Sequence, residues 1–251
     1  MRVSRLMQME DYIMSMETVT IEALCDKFQV SKNTVRRDLD ALCKKGAVRK
    51  IYGGAASNHA RDTVPFEERN VKNIRLKEQI ARKAAEFIHD GDSIFIDSGT
   101  TLTALYYQLP QVQNLTIFTN NMEVAFRSLS ENNYRIILTG GELSRSTCSA
   151  TGTDASRMLD CYNIEKAFLS AVGVSVENGA TNSSRGEFEV KQAVVRRSKY
   201  RYLLVDSSKF DSVSLMTFAE LNAFDAVITD TEPSGKYQNY LKKNNVDLII
   251  T

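Results

Sequence analysis

Apolar side chains in the first fifty residues recur at helical spacing. Leu6, Met9, Ile13 and Met16 share one face, which predicts an amphipathic helix over residues 4–16. Leu24 and Phe28 predict a second helix over residues 21–28, and Gln29-Val30 a short turn after it. Ser31 suits an N-cap, its hydroxyl accepting from free amides of the next turn. Val35, Leu39 and Leu42 then stand at i, i+4 and i+7, so a third helix turns them inward and turns Lys32, Asn33, Arg36 and Arg37 toward solvent. Gly46 is the expected left-handed stop. Residues 47–55 alternate and contain Gly53-Gly54, the pattern of a small β-wing.

From residue 57 the pattern changes. Residues 57–72, polar at the start and containing Val64-Pro65-Phe66, read as a linker. A helix is predicted over residues 73–89, ended by Asp90-Gly91. Short apolar runs follow at 93–97, 115–119, 135–139, 166–171, 202–206, 226–229 and 247–250. Amphipathic stretches at 101–109, 122–130, 187–199 and 235–244 separate several of them. Such alternation predicts an α/β domain, a largely parallel sheet with helices on both faces. The expected organisation is a DNA-binding-sized unit over 1–56, a linker over 57–72, and a larger domain over 73–251.

Composition narrows the function. The chain has 251 residues, 43% apolar and 25% charged, which is ordinary globular usage. No apolar run approaches the ~18 residues of a membrane span, and the first ten residues lack the apolar core of a signal peptide. A cytoplasmic protein is therefore expected. Cys25, Cys43, Cys148 and Cys161 form no CxxC pair, and His59 and His89 are the only histidines. That pattern offers no zinc spacing and no base for a Ser-His-Asp or Cys-His site, so neither metal nor cofactor is expected.

The near-neutral net charge of +1 conceals an asymmetry. Residues 1–56 carry ten basic against seven acidic side chains, and residues 32–50 carry seven against two. A solvated helix face explains that excess as well as a polyanion partner does. Geometry separates the two readings. Two short helices joined by a tight turn, the second presenting cations and small polar residues from its first turns, make a helix-turn-helix whose second helix enters the major groove of double-stranded DNA. Arg36 and Arg37 have forked donors for guanine or phosphate. Ser31, Lys32, Asn33 and Thr34 can hold backbone oxygens, and Arg49 and Lys50 in the wing can reach an adjacent strand.

In the larger domain, ligands of a parallel sheet bind beyond the carboxyl ends of the strands. The first run ends in Asp97-Ser98-Gly99-Thr100-Thr101 and opens a helix, where a glycine, hydroxyls and free amides suit an anion. No GxxxxGK[ST] or GxGxxG occurs, so neither a nucleoside triphosphate nor a dinucleotide is indicated. Later runs end near Asn120-Asn121, Gly140-Gly141, Gly173 and Lys209. Lys209 is a cation just past an apolar strand, able to neutralise phosphate or carboxylate. Glu187 and Lys191, four apart on a helix, are either a surface pair or an acceptor and a donor for sugar hydroxyls and phosphate.

Ser31-Lys32-Asn33-Thr34-Val35-Arg36-Arg37-Asp38-Leu39, with Leu42, Gly46 and Tyr52-Gly53-Gly54-Ala55, resembles the N-terminal signature of DeoR-type bacterial transcription regulators. Lys50 stands where that family usually has arginine. The motifs Asp97-Ser98-Gly99-Thr100-Thr101, Thr119-Asn120-Asn121, Gly140-Gly141, Glu187-x-Glu189-Val190-Lys191 and Asp206-Ser207-Ser208-Lys209-Phe210 are similar to those of the family's effector domain. Leu102 replaces a threonine common after the first of these. The resemblance implies a winged helix-turn-helix followed by a Rossmann-like, ribose-5-phosphate-isomerase-like domain that senses phosphorylated sugars. Val64-Pro65-Phe66-Glu67, Asp160-Cys161-Tyr162-Asn163-Ile164 and Thr181-Asn182-Ser183 are most similar to repressors of myo-inositol catabolism within it.

The expected function is a DNA-binding repressor of a carbohydrate catabolic operon, a homodimer or homotetramer released from its operator by a phosphorylated sugar or sugar acid. The alternative is a sugar-phosphate isomerase with a DNA-binding appendage, using Glu187, Glu189 or Asp206 as acid or base. The sequence contains no paired constellation dedicated to that chemistry.

Overall fold

The computed structural model describes residues 2–16, 18–44, 48–51, 53–57, 66–130 and 134–251. The chain divides into two compact units, Met1–Asp62 and Thr63–Thr251. Gly46, Tyr52, Val64, Pro65 and the first part of the expected linker lie outside the described residues.

The smaller unit contains α1 (Arg2–Met16), β1 (Thr18–Thr20), α2 (Ile21–Phe28), α3 (Lys32–Lys44), β2 (Val48–Ile51) and β3 (Gly54–Ser57). Its core is what the helical spacing predicts: Met9, Ile13, Leu24, Val35, Leu39 and Leu42 are buried together with Val19, Val48 and Ala55. Each such aliphatic side chain contributes about 1.5–3 kcal/mol on burial. Thr20 caps α2 by accepting from the Ala23 amide at 3.1 Å, and Gln29 ends it in the left-handed region at φ 51°. The wing is an antiparallel β2–β3 hairpin, to which β1 adds a third strand. Gly54 cannot be replaced freely, because a Cβ there would meet the Val19 carbonyl oxygen at 2.2 Å.

The larger unit runs α4 (Phe66–Val71), α5 (Ile74–Ala85), β4 (Ser93–Ile96), α6 (Thr100–Tyr107), β5 (Thr116–Thr119), α7 (Met122–Ser128) and β6 (Arg135–Leu138). A hairpin of β7 (Glu142–Ser144) and β8 (Ser149–Thr151) follows, then α8 (Thr153–Leu159), β9 (Ile164–Leu169), β10 (Gly173–Ser175) and β11 (Gly179–Asn182). The chain continues through α9 (Arg185–Arg197), β12 (Ser198–Leu204), β13 (Met216–Ala219), β14 (Ala226–Thr229), α10 (Gly235–Lys243) and β15 (Asp247–Ile250).

All seven apolar runs become one parallel sheet in the order β15-β14-β12-β9-β4-β5-β6. Alternation along each strand splits its side chains between two cores. Ile94 and Ile96 of β4 pack with Ile80 and Ala84 of α5 and Leu105 of α6, whereas Phe95 packs with Leu159 of α8, Val190 of α9 and Leu241 of α10. The architecture is therefore a doubly wound, Rossmann-like α/β sheet. A small antiparallel sheet, β10-β11-β13, has no counterpart among the apolar runs. Residues 66–71, placed in the linker from sequence, are helical instead, with Phe66 buried as their anchor.

Chain direction across the sheet reverses once. From β4 it steps outward to β5 and β6, then returns to β9 on the other side of β4 and continues outward. The carboxyl ends of β4 and β9 therefore flank a topological switch point, where adjacent loops diverge and leave a crevice.

Candidate functional site

The smaller unit presents α3 and the wing. Ser31 acts as the expected cap: the Thr34 amide donates to its Oγ at 3.3 Å, and the two hydroxyls lie 3.0 Å apart. Lys32, Asn33, Arg36 and Arg37 are exposed, Thr34 is half-buried, and α3 packs beside β2, which carries half-buried Arg49 and exposed Lys50. Lys32 and Lys50 each pair with a carboxylate of the same unit. Lys32 Nζ is 2.7 Å from Glu22 Oε1 on α2, and Lys50 Nζ is 2.5 Å from Asp40 Oδ1 on α3. The Lys32 hydrogen bond holds the Glu22 carboxyl below its ordinary range and pushes the lysine up. Beneath the exposed face, the Asp38 carboxylate is buried and accepts from Arg5 Nε at 2.8 Å, tying α3 to α1. Asp38 thus acts inward, next to two outward arginines.

At the switch point of the larger unit, one pocket is lined by Gly99, Thr100 and Thr101 beyond β4, Ser170 and Ala171 beyond β9, and Val205, Asp206, Ser208 and Lys209 beyond β12. Arg69 of α4, Lys72 and Asn73 between the helices, and Lys77 of α5 close it. Gly99 is the N-cap of α6, where a Cβ would meet Ser170 Oγ at 2.0 Å, so a larger residue there would force the Ser170 side chain aside. The first amides of α6 have no intrahelical acceptors. Thr100 and Thr101 are 7% and 6% exposed, and neither hydroxyl has a hydrogen-bond partner among the described residues. Hydroxyls at the pocket wall beside free amides are a donor set for an anion.

The charge around them is one-sided. Arg69, Lys72, Lys77 and Lys209 share the lining with one carboxylate, Asp206, which faces Lys77 and Lys209, while Glu187 and Asp97 attract Arg69 from outside it. Asp206 is itself engaged, accepting from the Ser208 amide at 3.0 Å, from the Ser208 hydroxyl and from Asn73 Nδ2 at 3.5 Å. These bonds fold the Ser207–Lys209 turn and aim Lys209. Burial pushes the Lys77 ammonium down to about 8; Asp206 opposes the shift, and Lys209, Arg69 and Lys72 add to it. Burial also lowers Lys209 and Arg69. An anion in the pocket would oppose each of these shifts.

Of the effector residues expected from sequence, Gly99, Thr100, Thr101 and Lys209 meet in this pocket. Asp97 and Ser98 lie just below it. Asp97 accepts from the Ser170 amide at 3.1 Å and pairs with Lys191, which also donates to the Ser170 carbonyl at 2.9 Å. Ser184 caps α9 by accepting from the Glu187 amide at 3.3 Å, and its Oγ donates to Glu187 Oε2 at 3.1 Å. The two residues are 6% and 4% exposed, so the surface-pair reading of Glu187 and Lys191 does not hold; each is buried and engaged elsewhere. Asn121 caps α7 and donates to Thr103 Oγ1 at 3.0 Å, while Asn120 donates to the Ala150 carbonyl at 3.1 Å. Gly140 and Gly141 follow β6. A Cβ on Gly141 would meet the Thr151 carbonyl oxygen at 2.5 Å, and one on Gly173 would meet that of Ser212 at 2.4 Å. Leu102 is buried in the apolar core and takes no part in the pocket lining.

Sequence reasoning missed Arg69, Lys72 and Lys77. A signal existed for the last: Lys77, Ile80, Ala81 and Ala84 fall at i, i+3, i+4 and i+7, placing a cation on the apolar face of α5. No helix of the described residues is long and apolar enough to cross a membrane.

Comparison with known proteins gives these two surfaces a common context. Residues 5–61 match the DeoR-like helix-turn-helix domain, and residues 72–231 match the DeoR C-terminal sensor domain. The chain is 39% identical to the HTH-type transcriptional regulator IolR of Bacillus subtilis over 99% of each chain. It is 32% identical to the glycerol-3-phosphate regulon repressor of Escherichia coli, over 92% of this chain and 91% of that one. A solved ribose 5-phosphate isomerase A from Methanocaldococcus jannaschii overlaps 55% of each chain at 17% identity and a TM-score of 0.40. The full-length relatives are named as regulators, so the chain stands with them and not with the isomerase alternative. A winged helix-turn-helix and a sensor sheet, matched along nearly the whole chain, make this protein a member of the DeoR family of transcriptional regulators.

Proposed function

We propose that the chain represses a carbohydrate catabolic operon by holding operator DNA through α3 and the wing, and releases it when a phosphorylated sugar or sugar acid enters the switch-point pocket. The observation that carries this reading is the pocket's composition: four cations, free α6 amides and the Thr100 and Thr101 side chains around one carboxylate that is already engaged. That is a receptor for a multiply charged oxyanion. The name of the glycerol-3-phosphate repressor, a phosphorylated three-carbon compound, supports the same ligand class. The segments similar to repressors of myo-inositol catabolism extend the reading to that pathway.

On the DNA side, Arg36 and Arg37 read bases or clamp phosphate, and Ser31, Lys32, Asn33, Thr34, Arg49 and Lys50 hold the backbone. A homodimer or homotetramer would place two α3 helices on half-sites ~34–36 Å apart or at multiples of that spacing. Release requires the effector to favour a geometry that no longer matches them. The test is a gel shift on DNA upstream of the chain's own operon, at stated salt, with phosphorylated metabolites titrated in. One of them should weaken the complex, and Lys209→Ala should bring the ratio of affinities with and without it close to one. A complex indifferent to every phosphorylated metabolite, or a Lys209→Ala protein that responds fully, refutes the reading.

A further inference from the structure

The cationic wall of the pocket is built unlike the rest of it. Its floor, from Gly99–Thr101, Ser170 and Val205–Lys209, rises from strand ends fixed by the sheet. Arg69 comes from α4 and Lys72 from the residues just after it, and α4 falls between the two stretches matched by the family's domains, 5–61 and 72–231. In the chain, α4 is the first described element after the segment that joins the two units.

α4 is lightly held. Six residues are far short of the ~12–15 at which an isolated helix becomes marginal, so its order depends on docking. Phe66 is its buried apolar anchor, whereas Val71 is 70% exposed. Arg69 reaches the Ser146 carbonyl at 3.3 Å, and Lys77 Nζ donates to the Arg69 carbonyl. Behind it, a second cavity of about 210 Å³ opens among Asn70, Ile74, Glu78, Ala104 and Tyr107, so the α4–α5 corner is not close-packed against α6. The anion pocket itself measures only about 50 Å³, space for a few waters, against ~300–1,000 Å³ for typical small-molecule sites. It holds about a phosphate group; the rest of a larger ligand projects from its open side or displaces the α4 wall, which has the second cavity beside it.

We infer that α4 is the coupling element of this sensor: Arg69 and Lys72 close on the bound anion, and occupancy fixes the position of the helix from which the chain leads back to the DNA-binding unit. The inference rests on the proposed pocket and adds how its occupancy is transmitted. Without an anion, Arg69 and Lys72 repel Lys77 and Lys209, while Glu187 and Asp97 attract Arg69. A bridging oxyanion turns that repulsion into attraction and selects one docked position, which is the differential binding that a switch requires.

Hydrogen exchange on the full-length protein tests it, with inorganic phosphate as probe and sodium chloride at equal ionic strength as reference. At ten times the apparent Kd, amides in residues 66–72 should slow about tenfold, together with those of residues 99–103. Arg69→Ala/Lys72→Ala should lose the slowing at 66–72 while 99–103 still responds. If 99–103 and 207–209 slow in the unmodified protein and 66–72 does not, the coupling role of α4 is refuted and the pocket stands. Persistent slowing at 66–72 in the double variant refutes it as well. No slowing in any of these stretches overturns the pocket, and the coupling with it.

Discussion

Lys191→Met tests how the floor of the pocket is built. Asp97 is fully buried at the end of β4, and its charge is balanced by Lys191, 94 residues away on α9. Lys191 also donates to the Ser170 carbonyl at 2.9 Å and lies 5.1 Å from the centroid of the Phe218 ring. Methionine keeps the apolar stem and removes the charge, leaving the carboxylate with the Ser170 amide at 3.1 Å and the Ser98 hydroxyl at 3.4 Å. An uncompensated buried charge costs about 3–5 kcal/mol. For a unit the size of Thr63–Thr251, each kcal/mol moves Tm by about 2–4 °C, so the expected loss is roughly 6–20 °C by calorimetry at pH 7. Asp97→Asn/Lys191→Met removes both charges and should recover most of it, because an asparagine oxygen still accepts from Ser170. A single variant within about 2 °C of the parent, or a double variant as unstable as Lys191→Met alone, would show that the pair does not hold β4 to α9.

Lys77 supplies a pH signature. Its ammonium is held near 8 against an ordinary 10.5. Below pH 8 it is charged in both folded and unfolded chains, and folding carries a burial cost of about 3 kcal/mol; between 8 and 10.5 the unfolded chain binds more protons, so stability rises with pH. Lys77→Met should raise Tm at pH 7 and flatten that rise in calorimetry at pH 7 and 10. Phosphate affinity in the unmodified protein should fall as pH passes 8, measured by titration calorimetry. Arg36→Ala and Arg37→Ala should each cost about 1–3 kcal/mol in operator affinity, whereas Lys44→Ala should mainly flatten the salt dependence by about one unit of slope; anisotropy at several salt concentrations separates them. Asp38→Ala removes the acceptor for Arg5 and should cost the smaller unit about 1–3 kcal/mol in chemical denaturation.

The strands of the main sheet were legible because the central ones are buried on both faces and read as short apolar runs, and the half-exposed edge strands β6 and β15 still carry Ile136-Ile137-Leu138 and Leu248-Ile249-Ile250. The small sheet was not: Gly173–Ser175 and Gly179–Asn182 are short, rich in small residues, and held by cross-strand partners rather than by pattern. The recognition helix was legible because Val35, Leu39 and Leu42 fix its phase and the outward positions follow. The pocket was half legible. Strand ends announce themselves, so Gly99–Thr101 and Lys209 could be found. The i, i+4 spacing of Glu187 and Lys191 suggested a local pair, but Lys191 is claimed by Asp97, a contact that no window along the chain reveals. Arg69 was hidden because a six-residue helix beside Pro65 has too few turns to show a period.

The ion pairs Lys32–Glu22 and Lys50–Asp40 bear on how many phosphates the protein touches. A lysine that leaves a carboxylate for a DNA phosphate displaces the counterion condensed on that phosphate, while the freed carboxylate gathers a cation from solution. The two exchanges offset each other. Plots of log affinity against log salt will therefore count fewer contacts than a footprint of the same complex, by about one for each lysine that trades partners.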